Sequence, residues 1–191
     1  MSRSKARKAD RSIVLVGLMG AGKTCIGKRL AKRLGLPFAD ADAAIEKAAG
    51  CTIPEIFAQH GEAAFREGER KVISRLLDDP PHVLATGGGA FMDPETRARI
   101  KARAVSIWLR AELDVLLRRT ARRSNRPLLN AGDPREVLER LMAVRYPVYA
   151  EADITVDSAD LPADVTVDKV MVALDELRRR TAEPARGRAA S

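Results

Sequence analysis

An α/β fold built on a parallel sheet, with helices covering both faces, is what the sequence predicts, and three observations carry the prediction. Short apolar runs alternate with longer stretches of helical spacing along the whole chain. That alternation suits parallel strands joined by helices, because parallel neighbours need long crossover connections. The polar and glycine-rich clusters GLMGAGKT (17–24), Asp40 with Asp42, and Gly87 to Gly89 each follow an apolar run. They therefore fall at the carboxyl edge of the sheet, where ligands gather in such folds.

Taken in order, SIVLV (12–16) is the first strand and CIGKRLAKRLG (25–35) the first helix. LPFADAD ends a second strand at Asp40 and Asp42, and residues 42–78 read as helix in several pieces, broken near Gly50 to Pro54 and at Gly61. HVLATGGG is a third strand that stops in three glycines; PETRARIKAR is a polar helix, AVSIWL a fourth strand and AELDVLLRRTA another helix. RRSNRPLLNAGDP interrupts the regular pattern with polar residues, proline and glycine. REVLERLMAVRYPVYAEA resumes helical spacing with Leu138, Leu141, Met142 and Val148 on one side, before a fifth strand, DITVD, and a closing helix from Ala163.

At 191 residues the chain has the size of one domain with a real core. Hydrophobic content is 46% and charged content 31%. No apolar run approaches the roughly 20 residues of a membrane helix. The basic N-terminus lacks the apolar segment of a secretory signal, so the expected compartment is the cytoplasm. Cys25 and Cys51 form no disulfide framework or zinc pattern and are expected to be reduced packing residues. His60 and His82 have no triad partners and read as structural.

The net charge is +8. Arg3, Lys5, Arg7, Lys8 and Arg11 against Asp10 give the first eleven residues half of it. Arg178, Arg179, Arg180, Arg186 and Arg188 against Glu183 give the last fourteen the other half. The expectation is a body from 12 to 177 near neutrality, flanked by disordered basic tails at 1–11 and 178–191. Specific nucleic-acid binding is not expected from tails of this kind.

The stretch 17–24 has the spacing G-x-x-x-x-G-K-T between a strand and a helix, the loop that cradles nucleotide phosphates. Its backbone N–H groups and the helix N-terminus favour an anion. Lys23 would reach the β- and γ-phosphates, and the Thr24 hydroxyl would serve Mg²⁺. Two carboxylates two residues apart at a strand end suit a hydrated metal and an attacking hydroxyl. Asp40 is assigned to the first and Asp42 to the second, although Asp42 could equally be the N-cap of the following helix. The third strand carries Thr86 where this loop family often has its metal-binding acid, and no N-K-x-D base-reading motif occurs. Gly87 to Gly89 would let a small substrate lie against backbone, or form a plain turn. Arg66, Arg126 and Arg145 suit a carboxylate or a transferring phosphoryl by shape and charge, although composition alone does not select them.

The set GLMGAGKT, PFADAD, AAFREGE, ATGGGA, RPLL and RYPVYAEAD, in this order and with these gaps, closely resembles the shikimate kinases from about Ile13 to about Leu177. The resemblance implies a monomer of the P-loop nucleoside-monophosphate-kinase-like three-layer sandwich, with a five-stranded parallel sheet. It implies a helical substrate-binding region at about 42–78 and a lid at about 120–132. It further implies transfer of the γ-phosphate of ATP to the 3-hydroxyl of shikimate, on the route to chorismate and the aromatic amino acids. Gly20, Ala21, Gly22, Lys23, Thr24 and Cys25 would surround ATP, with Arg119 and Pro162 at the adenine. Thr24 and, through water, Asp40 would hold Mg²⁺. Asp42 would take the shikimate hydroxyls and be the candidate base, Arg66 and Arg145 would clamp the carboxylate, and Gly88 would lie against the ring. Arg126 would be the lid arginine at the γ-phosphate. A gluconate-kinase-like enzyme of the same fold and a non-catalytic nucleotide- or nucleic-acid-binding module are the alternative readings.

Overall fold

A computed structural model of the chain describes residues 10–121 and 132–182. Five strands, β1 (Ser12–Val16), β2 (Phe38–Asp40), β3 (Val83–Ala85), β4 (Ala104–Arg110) and β5 (Ile154–Asp157), form one sheet in the order β2-β3-β1-β4-β5. Every pairing is parallel; Val14 stands opposite Leu84 on one side and Ser106 on the other. The chain enters at the centre of the sheet and builds outward in both directions. β3 and β4 therefore lie on opposite sides of β1, and the crevice of such a sheet opens beyond the carboxyl end of the central strand.

Among the described residues seven α-helices connect and cover the strands: α1 (Lys23–Leu34), α2 (Ala41–Ala49), α3 (Ile53–Asp78), α4 (Pro94–Arg103), α5 (Leu113–Ala121), α6 (Pro134–Tyr149) and α7 (Ala163–Ala182). Their ends follow local chemistry. Thr52 and Glu55 form a capping box that starts α3, in which the Thr52 N–H donates to Glu55 Oε2 at 2.7 Å and Glu55 N–H to Thr52 Oγ1 at 3.4 Å. Asp93 caps α4 and Asp133 caps α6, each followed by a proline in the first turn, where the missing N–H costs nothing.

The main core joins β1, β3 and β4 to Leu30 and Ala31 of α1, Leu116 of α5, Leu138 and Tyr149 of α6, and Val167, Val170 and Leu174 of α7. A second, smaller cluster of Ile45, Ile56, Phe65 and Val72 joins α2 to α3. That pair is thus a subunit of structure with its own apolar anchor, beside the sheet edge at β2. Gly61 interrupts α3 with φ 79° and ψ 175°, bending the helix at the expected break.

Three expectations need correction. Helix α7 continues through Ala182, and Arg178 pairs with Asp175 at 3.3 Å, so the C-terminal segment is still helical past residue 177. Cys25 is exposed on the solvent side of α1, next to Arg29, and so lies outside the core; Cys51 does pack against the second cluster. Strand β2 ends at Asp40 and α2 begins at Ala41, so strand alternation does not carry on to Asp42. His82 is buried, with its Nδ1 at 2.9 Å from the Pro80 carbonyl and 3.3 Å from Ser12 Oγ, whereas His60 is exposed. Most of the expected lid, with Arg126, lies outside the described residues.

Candidate active site

The loop after β1 curls because Gly20 and Gly22 take positive φ, 84° and 93°, which L side chains rarely adopt. Gly22 is the N-cap of α1, so the first N–H groups of that helix face the mouth of the loop. The Lys23 Nζ donates to the carbonyls of Gly17 at 2.7 Å and Leu18 at 3.0 Å, which holds the ammonium within the curl. Next to it, Thr24 Oγ1 donates to Asp40 Oδ2 at 2.9 Å. The other oxygen of Asp40 accepts from the N–H groups of Asp42 at 3.1 Å and Ala43 at 3.4 Å. Asp40, not Asp42, is therefore the N-cap of α2, and one carboxylate ties the phosphate loop to the start of the helical region.

The Asp42 side chain, in the first turn of α2, lies against the glycine run after β3. A methyl group placed on Gly87 would stand 2.8 Å from Asp42 Oδ1 and 3.1 Å from Glu69 Oε1. On Gly88 it would meet an Arg145 guanidinium nitrogen at 3.2 Å, with the Gly17 carbonyl at 3.6 Å; on Gly89 it would meet Arg66 at 2.4 Å. Each glycine thus leaves room for a functional side chain. The glycine run packs against Asp42, Glu69, Arg145 and Arg66. Thr86, in the position where an acid was missing, is buried and donates to the Leu15 carbonyl at 2.9 Å, so it joins β3 to β1.

Two residues of this cluster escaped the sequence reading. Glu69 is 3% exposed and accepts from Arg66 at 2.8 Å, while its other oxygen is buried with no hydrogen-bond partner among the described residues. Burial raises its pKa, an effect opposed by Arg66 and reinforced by Asp42. Tyr149 is fully buried at the end of α6, donates to the Gly88 carbonyl, and has its pKa raised by burial to about 12. The signal for both was helical spacing: Glu69 lies three residues after Arg66 and Tyr149 four after Arg145, so each shares a helix face with its arginine.

The Glu69 shift has a measurable consequence. A carboxyl whose folded-state pKa exceeds the unfolded 4.5 binds protons better in the folded protein, so its stabilising contribution is complete at low pH. That contribution falls as pH rises from the unfolded value through the raised one. Urea midpoints taken across pH 4.5 to 7 should therefore show wild type losing stability relative to Glu69→Gln as pH increases. Parallel curves for the two proteins would contradict the assignment.

On the opposite flank, Arg119 of α5 donates to the Gly20 carbonyl at 3.3 Å, to Ser158 Oγ at 3.0 Å and to the Ala159 carbonyl at 2.5 Å. The buried Ser158 hydroxyl donates in turn to the Ala21 carbonyl at 2.9 Å. The loop from β5 to α7, which ends at the exposed Pro162, is thereby fixed to the phosphate loop. Gly20, Ala21, Gly22, Lys23, Thr24, Cys25, Arg119 and Pro162 thus share one side of the carboxyl edge. Asp42, Arg66, Gly88 and Arg145 share the other. Among the expected site residues, Arg126 alone lies outside the described residues.

A central strand running into a phosphate loop, in a parallel sheet of this order, with a polar cluster facing the loop, defines a P-loop kinase of the nucleoside-monophosphate-kinase-like fold. The shikimate kinase family model matches residues 19–175. The chain is 65% identical over 167 residues to a shikimate kinase of Paramagnetospirillum magneticum, covering 87% of this chain and 86% of the relative. It is 59% identical over 171 residues to one of Rhodopseudomonas palustris, covering 90% and 84%. A shikimate kinase from Acinetobacter baumannii, solved in complex with shikimate, superimposes with a TM-score of 0.87 at 38% identity, covering 91% of this chain and 98% of that one. The chain belongs to the shikimate kinase family, and it is an ATP-dependent kinase of the shikimate route to the aromatic amino acids. The gluconate-kinase and binding-module readings are not favoured.

Proposed function

We propose that the chain transfers the γ-phosphoryl group of ATP to the 3-hydroxyl of shikimate through Lys23, Asp42, Arg66, Gly88 and Arg145, with Arg126 as the lid arginine that the family resemblance implies. The observation that carries this reading is the glycine run. Asp42 lies against Gly87, Arg145 against Gly88 and Arg66 against Gly89, and Gly88 itself adjoins the phosphate loop at the Gly17 carbonyl. The Asp42 carboxylate and the two guanidinium groups thus line the glycine run next to the loop, with buried Glu69 behind them, which suits an acceptor that presents both hydroxyls and a carboxylate.

In this reading Arg66 and Arg145 hold the shikimate carboxylate, and Asp42 accepts a hydrogen bond from the acceptor hydroxyl. As the hydroxyl oxygen bonds to the γ-phosphorus, the bond from that phosphorus to the bridging oxygen breaks. The hydroxyl proton passes to Asp42, and the products are shikimate 3-phosphate and ADP. Lys23 balances charge on the transferring group, and Arg126 adds to it from the lid, because phosphoryl transfer asks the protein mainly for positioning and charge neutralisation. Arg119 and Pro162 border the adenine.

Thr24 and Asp40 suit Mg²⁺: they set two hard oxygen donors side by side at the loop mouth, the Thr24 hydroxyl 2.9 Å from the Asp40 carboxylate. Mg²⁺ commonly keeps several waters and phosphate oxygens as its other ligands, so two protein oxygens are enough to hold it. Held by Thr24 and, through water, by Asp40, Mg²⁺ would supply positive charge that offsets the charge of the phosphates. No helix among the described residues is long and apolar enough to cross a membrane. We place the enzyme in the cytoplasm as a monomer, in keeping with its two unpaired cysteines and its family resemblance.

ADP release with ATP and Mg²⁺ is the test, run with shikimate, gluconate, AMP or no acceptor, in wild type and Arg126→Ala. Turnover is expected with shikimate alone, and the variant should lower kcat more than it raises KM for either substrate. Turnover with gluconate or AMP would overturn the acceptor, and an unchanged kcat in Arg126→Ala would overturn the lid role.

A further inference from the structure

We propose that Tyr149 is a positioning residue of the acceptor site: its buried hydroxyl, bonded to the Gly88 carbonyl beside the Arg145 guanidinium, fixes the spacing between the glycine run and that arginine. The inference rests on the reading of Arg145 as a carboxylate ligand.

Three observations carry it. Tyr149 is fully buried among apolar residues of the main core, so its hydroxyl must find a partner, and the partner it takes is a backbone carbonyl of the site. Arg145 sits one helical turn before Tyr149 on α6, and its guanidinium acts on the phenol more strongly than that of Arg66 does. The same guanidinium stands 3.2 Å from where a Gly88 methyl would be. Tyr149, Gly88 and Arg145 therefore form one contact triangle, with the rigid ring as its fixed corner. Trp108 and Tyr146 brace that ring, with centroids 6.0 Å and 6.2 Å away.

The chemistry of the partner also differs between the two arginines. Arg66 is ion-paired with Glu69 at 2.8 Å and Glu62 at 3.3 Å, so carboxylates already share its charge. Glu69 also attracts Arg145, but the group that orients the Arg145 guanidinium beside Gly88 is a neutral phenol, which does not compete with the carboxylate of the acceptor for that charge. A carboxylate in place of Tyr149 would compete for the same guanidinium.

Tyr146 supplies an internal control. Its hydroxyl also donates to a backbone carbonyl, that of Ala111, away from the glycine run. Tyr149→Phe, Tyr146→Phe, Arg145→Ala and the pair Arg145→Ala with Tyr149→Phe should be compared for KM and kcat with each substrate and for thermal midpoint. Both phenylalanine variants keep the ring in the core and should fold. Tyr149→Phe is expected to raise the KM for shikimate about tenfold, the size of one hydrogen bond that orients a charged group. The KM for ATP and kcat should stay within about twofold. Tyr146→Phe should leave all three in place, and Tyr149→Phe should add little once Arg145 is gone.

An unchanged shikimate KM in Tyr149→Phe, an equal rise in Tyr146→Phe, or a full additional effect in the Arg145→Ala background would overturn the inference. If Arg145→Ala raises the shikimate KM while Tyr149→Phe does not, the inference alone fails. If Arg145→Ala leaves that KM unchanged, the site reading fails and the inference goes with it.

Discussion

Replacing Lys23 with methionine is expected to lower kcat by about a thousandfold or more, with the fold intact. The methionine keeps most of the length of the side chain but removes the ammonium, with its charge and its hydrogen bonds to the Gly17 and Leu18 carbonyls. In the structure the ammonium is held by the Gly17 and Leu18 carbonyls at the curl of the loop, where the phosphates of a nucleotide would enter. A group so placed meets charge that shifts as the phosphoryl leaves one oxygen for another, and its loss is felt in the transition state more than in the ground state. The measurement is kcat against KM for ATP, together with the thermal midpoint. A kcat within tenfold of wild type would mean that Lys23 is not at the transferring group.

The second large effect comes from a position without a functional side chain. Gly89 has φ −96° and ψ −17°, a conformation open to any residue, so Gly89→Ala imposes no backbone strain. Its new methyl would nevertheless come within 2.4 Å of a guanidinium nitrogen of Arg66 and 2.7 Å of the central carbon. A flexible side chain can yield at little cost in stability, but then Arg66 leaves the position it holds beside Gly89. The expected result is an unchanged thermal midpoint with a shikimate KM raised by about 10 to 100-fold, the loss of one charge-assisted pair. In an Arg66→Ala background the same substitution should do almost nothing, because the obstructed group is already absent. A Gly89→Ala enzyme with wild-type KM would remove Arg66 from the acceptor site.

These two predictions draw on different kinds of knowledge. Lys23 was legible in the sequence because a phosphate loop is a local device: its glycines, its lysine and the helix that follows are contiguous, and the spacing alone specifies the geometry. The strands and helices were legible for the same reason, since periodicity and caps act within a few residues. The expected breaks near Gly50 and at Gly61 therefore match the gap between α2 and α3 and the kink in α3.

Where the sequence reading went astray, a local rule met a tertiary partner. Asp40 and Asp42 were read together on one strand, but Thr24 and the first turn of α2 draw Asp40 into the cap, and only the contact between β2 and the phosphate loop decides this. Cys25 was read as packing, although the face of α1 that turns to solvent is set by how the helix lies on the sheet. Glu69 and Tyr149 could be placed on the same helix faces as Arg66 and Arg145, but nothing local distinguishes a buried partner from an exposed neighbour.

By itself, then, the sequence determined the order of the elements, the parallel sheet, the phosphate loop and the family to which the chain belongs. The tertiary structure alone decided which side chain each of Gly87, Gly88 and Gly89 makes room for, which aspartate caps α2, and what holds Arg66. The reason is physical: hydrogen bonding and periodicity within an element depend on residues a few positions apart. The acceptor site instead joins α2, α3, the end of β3 and α6, and its contacts exist only once the sheet has brought those segments to one edge.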